Sequence, residues 1–244
     1  MKKLLVCAVL VLAVVQVAFA QGTLKVATEA GFMPFEFVAE DGSLQGFDMD
    51  LIRAVAAKLN MEIQIDNISW DGLIPALQNR NYDALIAGIT ITPERAQAVA
   101  FSDPYFESVL TIVVPAKNTD ITGFDSLTGK TVAVQISTTG DYVAEEIEGV
   151  TILRFNTVAE AMQNVAMGTA DAMIVDLPVS EAFLAAYPGA QLKNLGPVAD
   201  HEFLGIAIHK ENTELVEKVN WALAELKADG TYDAIYNKWF GVQE

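Results

Sequence analysis

The apolar positions of this chain switch repeatedly between a period of two and a period near 3.6, a pattern that predicts alternating strands and helices. Residues 24–28 alternate as a short strand. Two runs, 35–38 and 44–47, flank Asp41-Gly42, a turn pair that predicts a hairpin. Asp48 is placed to cap a helix whose apolar face carries Leu51, Ile52, Val55, Ala56 and Leu59. A strand at 61–65, a short helix at 73–77 and a buried strand at 84–87 follow. The rhythm then restarts, with strands at 110–114 and 131–134, a helix from 139, a strand at 152–155, a helix capped by Thr157 that reaches 167, and an apolar strand at 172–175. A late strand at 205–208 precedes a long helix opened by Asn212 or Thr213, with Leu215, Val216, Val219, Leu223 and Leu226 on one face. Asp229-Gly230 ends that helix, and a last one covers 231–239.

Strands alternating with helices imply a mainly parallel α/β sheet covered on both faces. Because the pattern runs twice, two lobes fit better than one sheet, and no Pro/Gly/Ser-rich linker separates them. The lobes are therefore expected to be joined by strands, with a cleft at the carboxyl ends of the sheets, where open α/β folds take their ligands.

The first twenty residues do not belong to this pattern. Lys2 and Lys3 precede an apolar run over 4–17 broken only by Gln16, and Ala18-Phe19-Ala20 reads as a cleavage site. These are the parts of a secretory signal peptide, and the run is shorter than the roughly 20 residues of a spanning helix. Cleavage would remove 20 of 244 residues, leaving 224, and would take away the single cysteine, Cys7. The chain carries 15 basic and 32 acidic residues, a net charge of −17; loss of the two leader lysines makes it −19. Such a charge argues against nucleic acid and anionic membrane surfaces as partners. One cysteine also excludes a disulfide framework and any multi-thiolate metal site.

Motifs for catalysis are missing. His201 and His209 have no neighbouring nucleophile in a recognisable elbow, and there is no G-x-S-x-G, P-loop or G-x-G-x-x-G. No His/Glu spacing suggests a metal. Neither a catalytic group, a metal nor a cofactor is therefore expected.

A binding constellation is present instead. Its stretches are Val26-Ala27-Thr28-Glu29 with Phe32 and Pro34-Phe35-Glu36-Phe37; Gly46-Phe47-Asp48; Trp70 with Ile74-Pro75-Ala76-Leu77; and Gly88-Ile89-Thr90-Ile91-Thr92-Pro93-Glu94-Arg95. They continue with Phe101-Ser102-Asp103-Pro104-Tyr105, Gly129-Lys130-Thr131-Val132-Ala133-Val134-Gln135, Ala170-Asp171-Ala172 with Asp176, and Tyr232, Tyr236, Trp239, Phe240 and Gly241. In this order they resemble the periplasmic solute-binding proteins of polar amino-acid ABC importers (extracellular solute-binding protein family 3) over essentially all of 24–241.

The resemblance implies a two-lobed periplasmic-binding-protein fold of type II, each lobe a mostly parallel sheet with helices on both faces, joined by two hinge strands. Lobe 1 would comprise 21–108 and a return segment 204–244, and lobe 2 would comprise 109–203, with hinges near 105–110 and 200–205. It implies that Arg95 holds a ligand carboxylate, a task to which a guanidinium brings two parallel charge-assisted hydrogen bonds. Gly88 and Thr90 would add contacts to the carboxylate or the α-ammonium. A backbone N–H near Thr139 would reach the carboxylate, although relatives have Gly-Thr or Gly-Ser where this chain has Ser137-Thr138-Thr139-Gly140. Asp176 would take the α-ammonium. Phe32 and Trp70 would wall the side-chain pocket. Glu29, with Gln135 as a further contact, would favour a basic or amide side chain over an acidic one.

The expected function is therefore capture of a polar L-amino acid, arginine or another basic residue or glutamine, by hinge closure, and its delivery by a monomer to an inner-membrane ABC permease. Two alternatives stand beside it: a cyclohexadienyl (prephenate/arogenate) dehydratase on the same fold, and a ligand-sensing module.

Overall fold

A computed structural model describes residues 22–241; the leader predicted at 1–20 lies outside the described residues. Among the described residues no helix is long and apolar enough to cross a membrane.

Two principal sheets organise the molecule. The first runs, in spatial order, Glu62–Asn67, Thr23–Thr28, Ala84–Leu85, Ala207–Ile208 and Ala100–Phe101. Its first three strands are parallel, and the late strand Ala207–Ile208 enters antiparallel between two strands that precede it by about a hundred residues. The second sheet runs Thr151–Phe155, Thr131–Gln135, Ala172–Asp176, Phe106–Pro115 and Leu192–Asn194. Its first three strands are again parallel, and the ten-residue strand Phe106–Pro115 is antiparallel to its neighbours. Each sheet is thus a parallel centre extended by antiparallel strands, as expected where the chain leaves and re-enters a lobe. A small sheet of Gly31–Phe32, Glu36–Val38 and Leu44–Gln45 contains the hairpin predicted at Asp41-Gly42.

Two strands pass between the lobes. The start of Phe106–Pro115 pairs with His201–Leu204, so Ser108 faces Glu202 and Phe106 faces Leu204. The rest of Phe106–Pro115 is buried in the second sheet. Its Val-Leu-Thr-Ile-Val-Val run is β-branched and apolar, suited to burial on both faces.

The helices follow their local signals. Thr157 caps Val158–Met167 through a reciprocal pair with Glu160, and Gly168 closes it in the left-handed conformation. Thr213–Ala228 begins at Asn212, whose side chain accepts from the N–H of Leu215. One prediction needs correction. Helix Phe47–Lys58 starts at Gly46 with no side-chain cap, because the Asp48 carboxylate is turned inward and fully buried. The final helix, Thr231–Phe240, pins the first lobe. Phe240 lies 4.8 Å from Phe106 and 5.3 Å from Phe47 between ring centroids, Tyr232 donates to Tyr105 O at 2.6 Å, and Trp239 Nε1 donates to Asp50 at 2.8 Å.

Candidate functional site

The carboxyl ends of both sheets meet across a narrow cleft lined by Glu29, Phe32, Trp70, Gly88, Thr90, Arg95, Gln135, Thr139 and Asp176. All nine residues singled out from the sequence thus share one cavity. Ala87 and Thr138 complete its lining.

Arg95 lies in the first turn of Pro93–Ala98, a short helix that starts with proline and is capped by Thr92, whose hydroxyl accepts from Arg95 N at 3.2 Å. Its side chain is 7 % exposed. One terminal nitrogen donates to Thr90 O at 2.9 Å and the other crosses the cleft to Ser137 O at 3.1 Å. The guanidinium also lies 5.3 Å from the centroid of the Trp70 ring. Among the described residues no carboxylate forms an ion pair with it, so neither Glu94 nor Asp103 neutralises it. Burial accordingly pulls its pKa down.

Trp70 opens a short turn, Trp70–Gly72, and its Nε1 also donates to Ser137 O, at 3.3 Å. That single carbonyl therefore receives two donors from the opposite lobe. Ser137 holds φ at +59°, the left-handed region that L side chains enter at a cost, and its N–H is fixed by Asp141 at 2.9 Å. Ser137 opens the stretch Ser137-Thr138-Thr139-Gly140, in which the sequence departs from the expected pattern. Thr138 caps the helix that begins at Thr139, so the departure leaves the helix start intact.

Gly88 also has a left-handed φ, +55°, and a Cβ there would fall 2.7 Å from the Phe32 ring. Its N–H donates to Asp48 Oδ2 at 2.9 Å, which also accepts from the Tyr105 hydroxyl at 2.8 Å. Burial lifts Asp48 to about 6. Fully buried Glu36 beside it is held well above the usual carboxylate range by burial and by the Asp48 charge. Both Glu36 oxygens and Asp48 Oδ1 are buried without a hydrogen-bond partner, and a proton held by Glu36 and donated to Asp48 would relieve one oxygen of each carboxyl. The Asp48 that the sequence placed at a helix cap thus sits beneath the backbone of Gly88.

Asp176 ends the buried strand Ala172–Asp176 and occupies the cap position of Leu177–Ala186, but its side chain makes no cap bond. It accepts from Ser108 Oγ at 2.6 Å instead. Burial raises its carboxyl from the usual range to about 7, against the lowering effect of Ser108. Glu29 lies just beyond the first strand and is half-buried; burial raises its carboxyl, and Gln135 Nε2 opposes this from 3.4 Å across the cleft. Gln135 also donates to Asn156 O at 3.0 Å.

Sequence reasoning missed Glu202, Ser137 as a contact, and Ser108. Glu202 accepts from the hydroxyls of Thr90, at 3.0 Å, and Thr139, at 2.9 Å. Its signal was weak: one acid in a short strand, His201–Leu204, that the hydropathy pattern did not separate from the strand after it.

The model of the bacterial extracellular solute-binding proteins, family 3, matches residues 24–242, and the chain belongs to that family. The putative ABC transporter arginine-binding protein 2 of Escherichia coli K12 is 36 % identical over 98 % of this chain and 99 % of its own length. An ancestral arginine-binding protein is 46 % identical in its arginine-bound and glutamine-bound structures, each with a TM-score of 0.87. Those structures cover 91 % of this chain and 100 % and 99 %, respectively, of theirs. The ancestral amino acid-binding protein AncCDT-1, described as a precursor of cyclohexadienyl dehydratase, is 42 % identical, with a TM-score of 0.82 over 89 % of this chain and 95 % of its own.

Proposed function

We propose that this protein captures a polar L-amino acid with a basic or amide side chain in the cleft and presents it, closed, to an ABC importer. The observation that carries this reading is Arg95: a buried guanidinium at the cleft wall, with no ion-pair partner among the described residues, whose charge a ligand carboxylate would neutralise. In this reading Gly88, Thr90 and the N–H of Thr139 complete the carboxylate and ammonium contacts, Asp176 takes the ammonium, and Phe32 and Trp70 wall the side chain. Glu29 and Gln135 receive its far end. Glu29 and Asp176 set two carboxyls against one guanidinium in the cavity lining, a balance that favours a cationic or donor-rich ligand. The ligands in the related ancestral structures, arginine and glutamine, fit that preference.

Lobe 1 would span 21–108 with 204–244 and lobe 2 would span 109–203, with bending at the two crossing strands. Ligand contacts made by both lobes at once would bias the closed state. We further infer export with removal of residues 1–20, and action as a monomer on an inner-membrane permease.

A thermal-shift screen of the purified protein against the twenty amino acids tests the reading. Ligand at 100 times its Kd adds about 2.7 kcal/mol of stability. A shift with arginine, lysine, histidine or glutamine is expected; none with any polar amino acid refutes amino-acid capture, and a shift with glutamate alone refutes the role given to Glu29. The dehydratase alternative retains one support, a buried Asp176 carboxyl able to hold a proton near neutral pH. Incubation with prephenate or arogenate separates the two readings: no aromatic product is expected, and its formation would make the protein an enzyme.

A further inference from the structure

Glu202 occupies a place that ligand capture, as described, does not use. Its strand passes between the lobes, paired with Phe106–Pro115 so that Glu202 stands opposite Ser108. Ser108 in turn donates to Asp176. Glu202 itself is half-buried behind the cavity wall. One oxygen, Oε2, accepts from Thr90 Oγ1 at 3.0 Å and from Thr139 Oγ1 at 2.9 Å. Thr90 and Thr139 are 6 % and 9 % exposed, and both line the cavity. Thr90 follows the first-sheet strand Ala84–Leu85 and bridges to Leu204 of the crossing strand, and Thr139 opens a helix packed on the second sheet.

A hydroxyl has one proton and two lone pairs, whereas a carboxylate only accepts. Both hydroxyl protons are therefore committed to Glu202, and toward the cavity each hydroxyl can offer only a lone pair. Two side chains that by type could donate or accept become acceptors of fixed orientation. Asp176, when ionised, adds a further acceptor to the same cavity, which Arg95 lines as a donor.

We propose that Glu202 is a positioning residue that takes the protons of the Thr90 and Thr139 hydroxyls, one from each lobe, and thereby makes the cleft select a ligand bearing an ammonium group while tying the lobes together in the closed form. This rests on the amino-acid reading for its ligand, but the tie between lobes does not depend on it. A glutamine's amide oxygen at the same point still takes both protons, whereas a leucine accepts neither and leaves both hydroxyls free to donate toward the ammonium.

The test is a mutant cycle on the mature chain: wild type, Glu202→Leu, Thr90→Val with Thr139→Val, and all three together. The first readout is calorimetric Kd for L-arginine. Glu202→Leu weakens binding about tenfold in the wild-type background, the scale of one hydrogen bond to a charged group. It changes Kd less than twofold once both hydroxyls are gone. Equal losses in both backgrounds would show that Glu202 acts otherwise, and no loss in either would overturn the proposal.

The second readout needs no ligand. Spin labels on cysteines introduced at exposed Asp71 and Glu146, one in each lobe, report the separation of the lobes. Glu202→Leu lowers the closed fraction in the wild-type background and leaves it unchanged in the double-valine background. A closed fraction that does not move refutes the tie. If wild type binds no amino acid while the closed fraction still falls, the ligand reading fails and the tie survives; if wild type binds but neither Kd nor closed fraction moves, the role of Glu202 fails alone.

Discussion

Arg95→Met separates what Arg95 does for the fold from what it does for the ligand. In the structure the guanidinium gives two hydrogen bonds to carbonyls, at 2.9 Å and 3.1 Å, and stacks on Trp70. The two charged hydrogen bonds contribute about 3–6 kcal/mol together, and the ring adds about 0.5–2 kcal/mol. Against this stands the penalty, several kcal/mol, of burying an ion without a counter-charge. The two sides nearly cancel, so Arg95→Met should keep folding stability within about 2 kcal/mol of wild type, which is a Tm change of about 4–8 °C or less for a chain of this size. Binding has no such cancellation. A carboxylate deprived of two charge-assisted bonds loses about 3–6 kcal/mol, or roughly 10²–10⁴ in Kd. Titration calorimetry with L-arginine, beside a thermal melt without ligand, reads both halves. A well-folded Arg95→Met protein whose Kd changes less than tenfold would show that the carboxylate is held elsewhere.

Asp176 makes both stability and binding depend on pH. Its folded pKa, about 7, lies above its usual value of 3.8, so its contribution to stability is fully present below about pH 4 and is lost as pH rises through 7. A ligand ammonium needs the ionised form, so affinity should rise by up to about tenfold between pH 6 and pH 8, with proton release on binding; Asp176→Asn should abolish the Asp176 share, and an unchanged pH profile in that variant would refute the assignment. Gly88→Ala should cost about 1–2 kcal/mol of stability for its left-handed backbone and weaken binding by displacing Phe32; an affinity equal to wild type would mean that the aromatic wall tolerates the shift. Ser137→Gly should be neutral or stabilising by up to about 1 kcal/mol in chemical denaturation, because glycine accepts φ near +59° freely; a clear loss of stability would show that the serine side chain holds the loop.

Most of the site was legible because its residues sit where the hydropathy pattern breaks. Glu29, Gln135 and Asp176 each close a buried strand, and a polar group at the end of such a strand has a cleft as its outlet. Arg95 was legible through its motif, though its actual partners, two carbonyls, carry no sequence signature. Asp48 misled: an acid at a helix start reads as a cap, yet here tertiary demand from Gly88 and Tyr105 outweighs the local role. Glu36 lies in a hairpin strand that reads as half-exposed, and only packing makes it a buried proton carrier. Glu202 escaped because a hydrogen bond between residues more than sixty positions apart leaves no local period to detect. The two-residue strand Ala100–Phe101 was likewise too short to show a period of its own, and although Ala207–Ile208 lies within the strand read at 205–208, the antiparallel pairing the two make follows from topology.

The placement of Ala207–Ile208 has a consequence for how the molecule is made. This strand is the bridge between Ala84–Leu85 and Ala100–Phe101. A chain emerging amino-end first therefore displays an unfinished first sheet, with apolar edges open, until more than two hundred residues have been released. The second sheet draws all its strands from the single stretch between Phe106 and Leu204, whereas the first spans Thr23 to Ile208. The lobe begun earliest thus waits on pairings of the longest sequence separation, which close slowly. Until then the first hundred residues are a client for whatever factor shields unpaired strands, and truncation before about residue 208 should leave a folded second lobe attached to an unfolded first one.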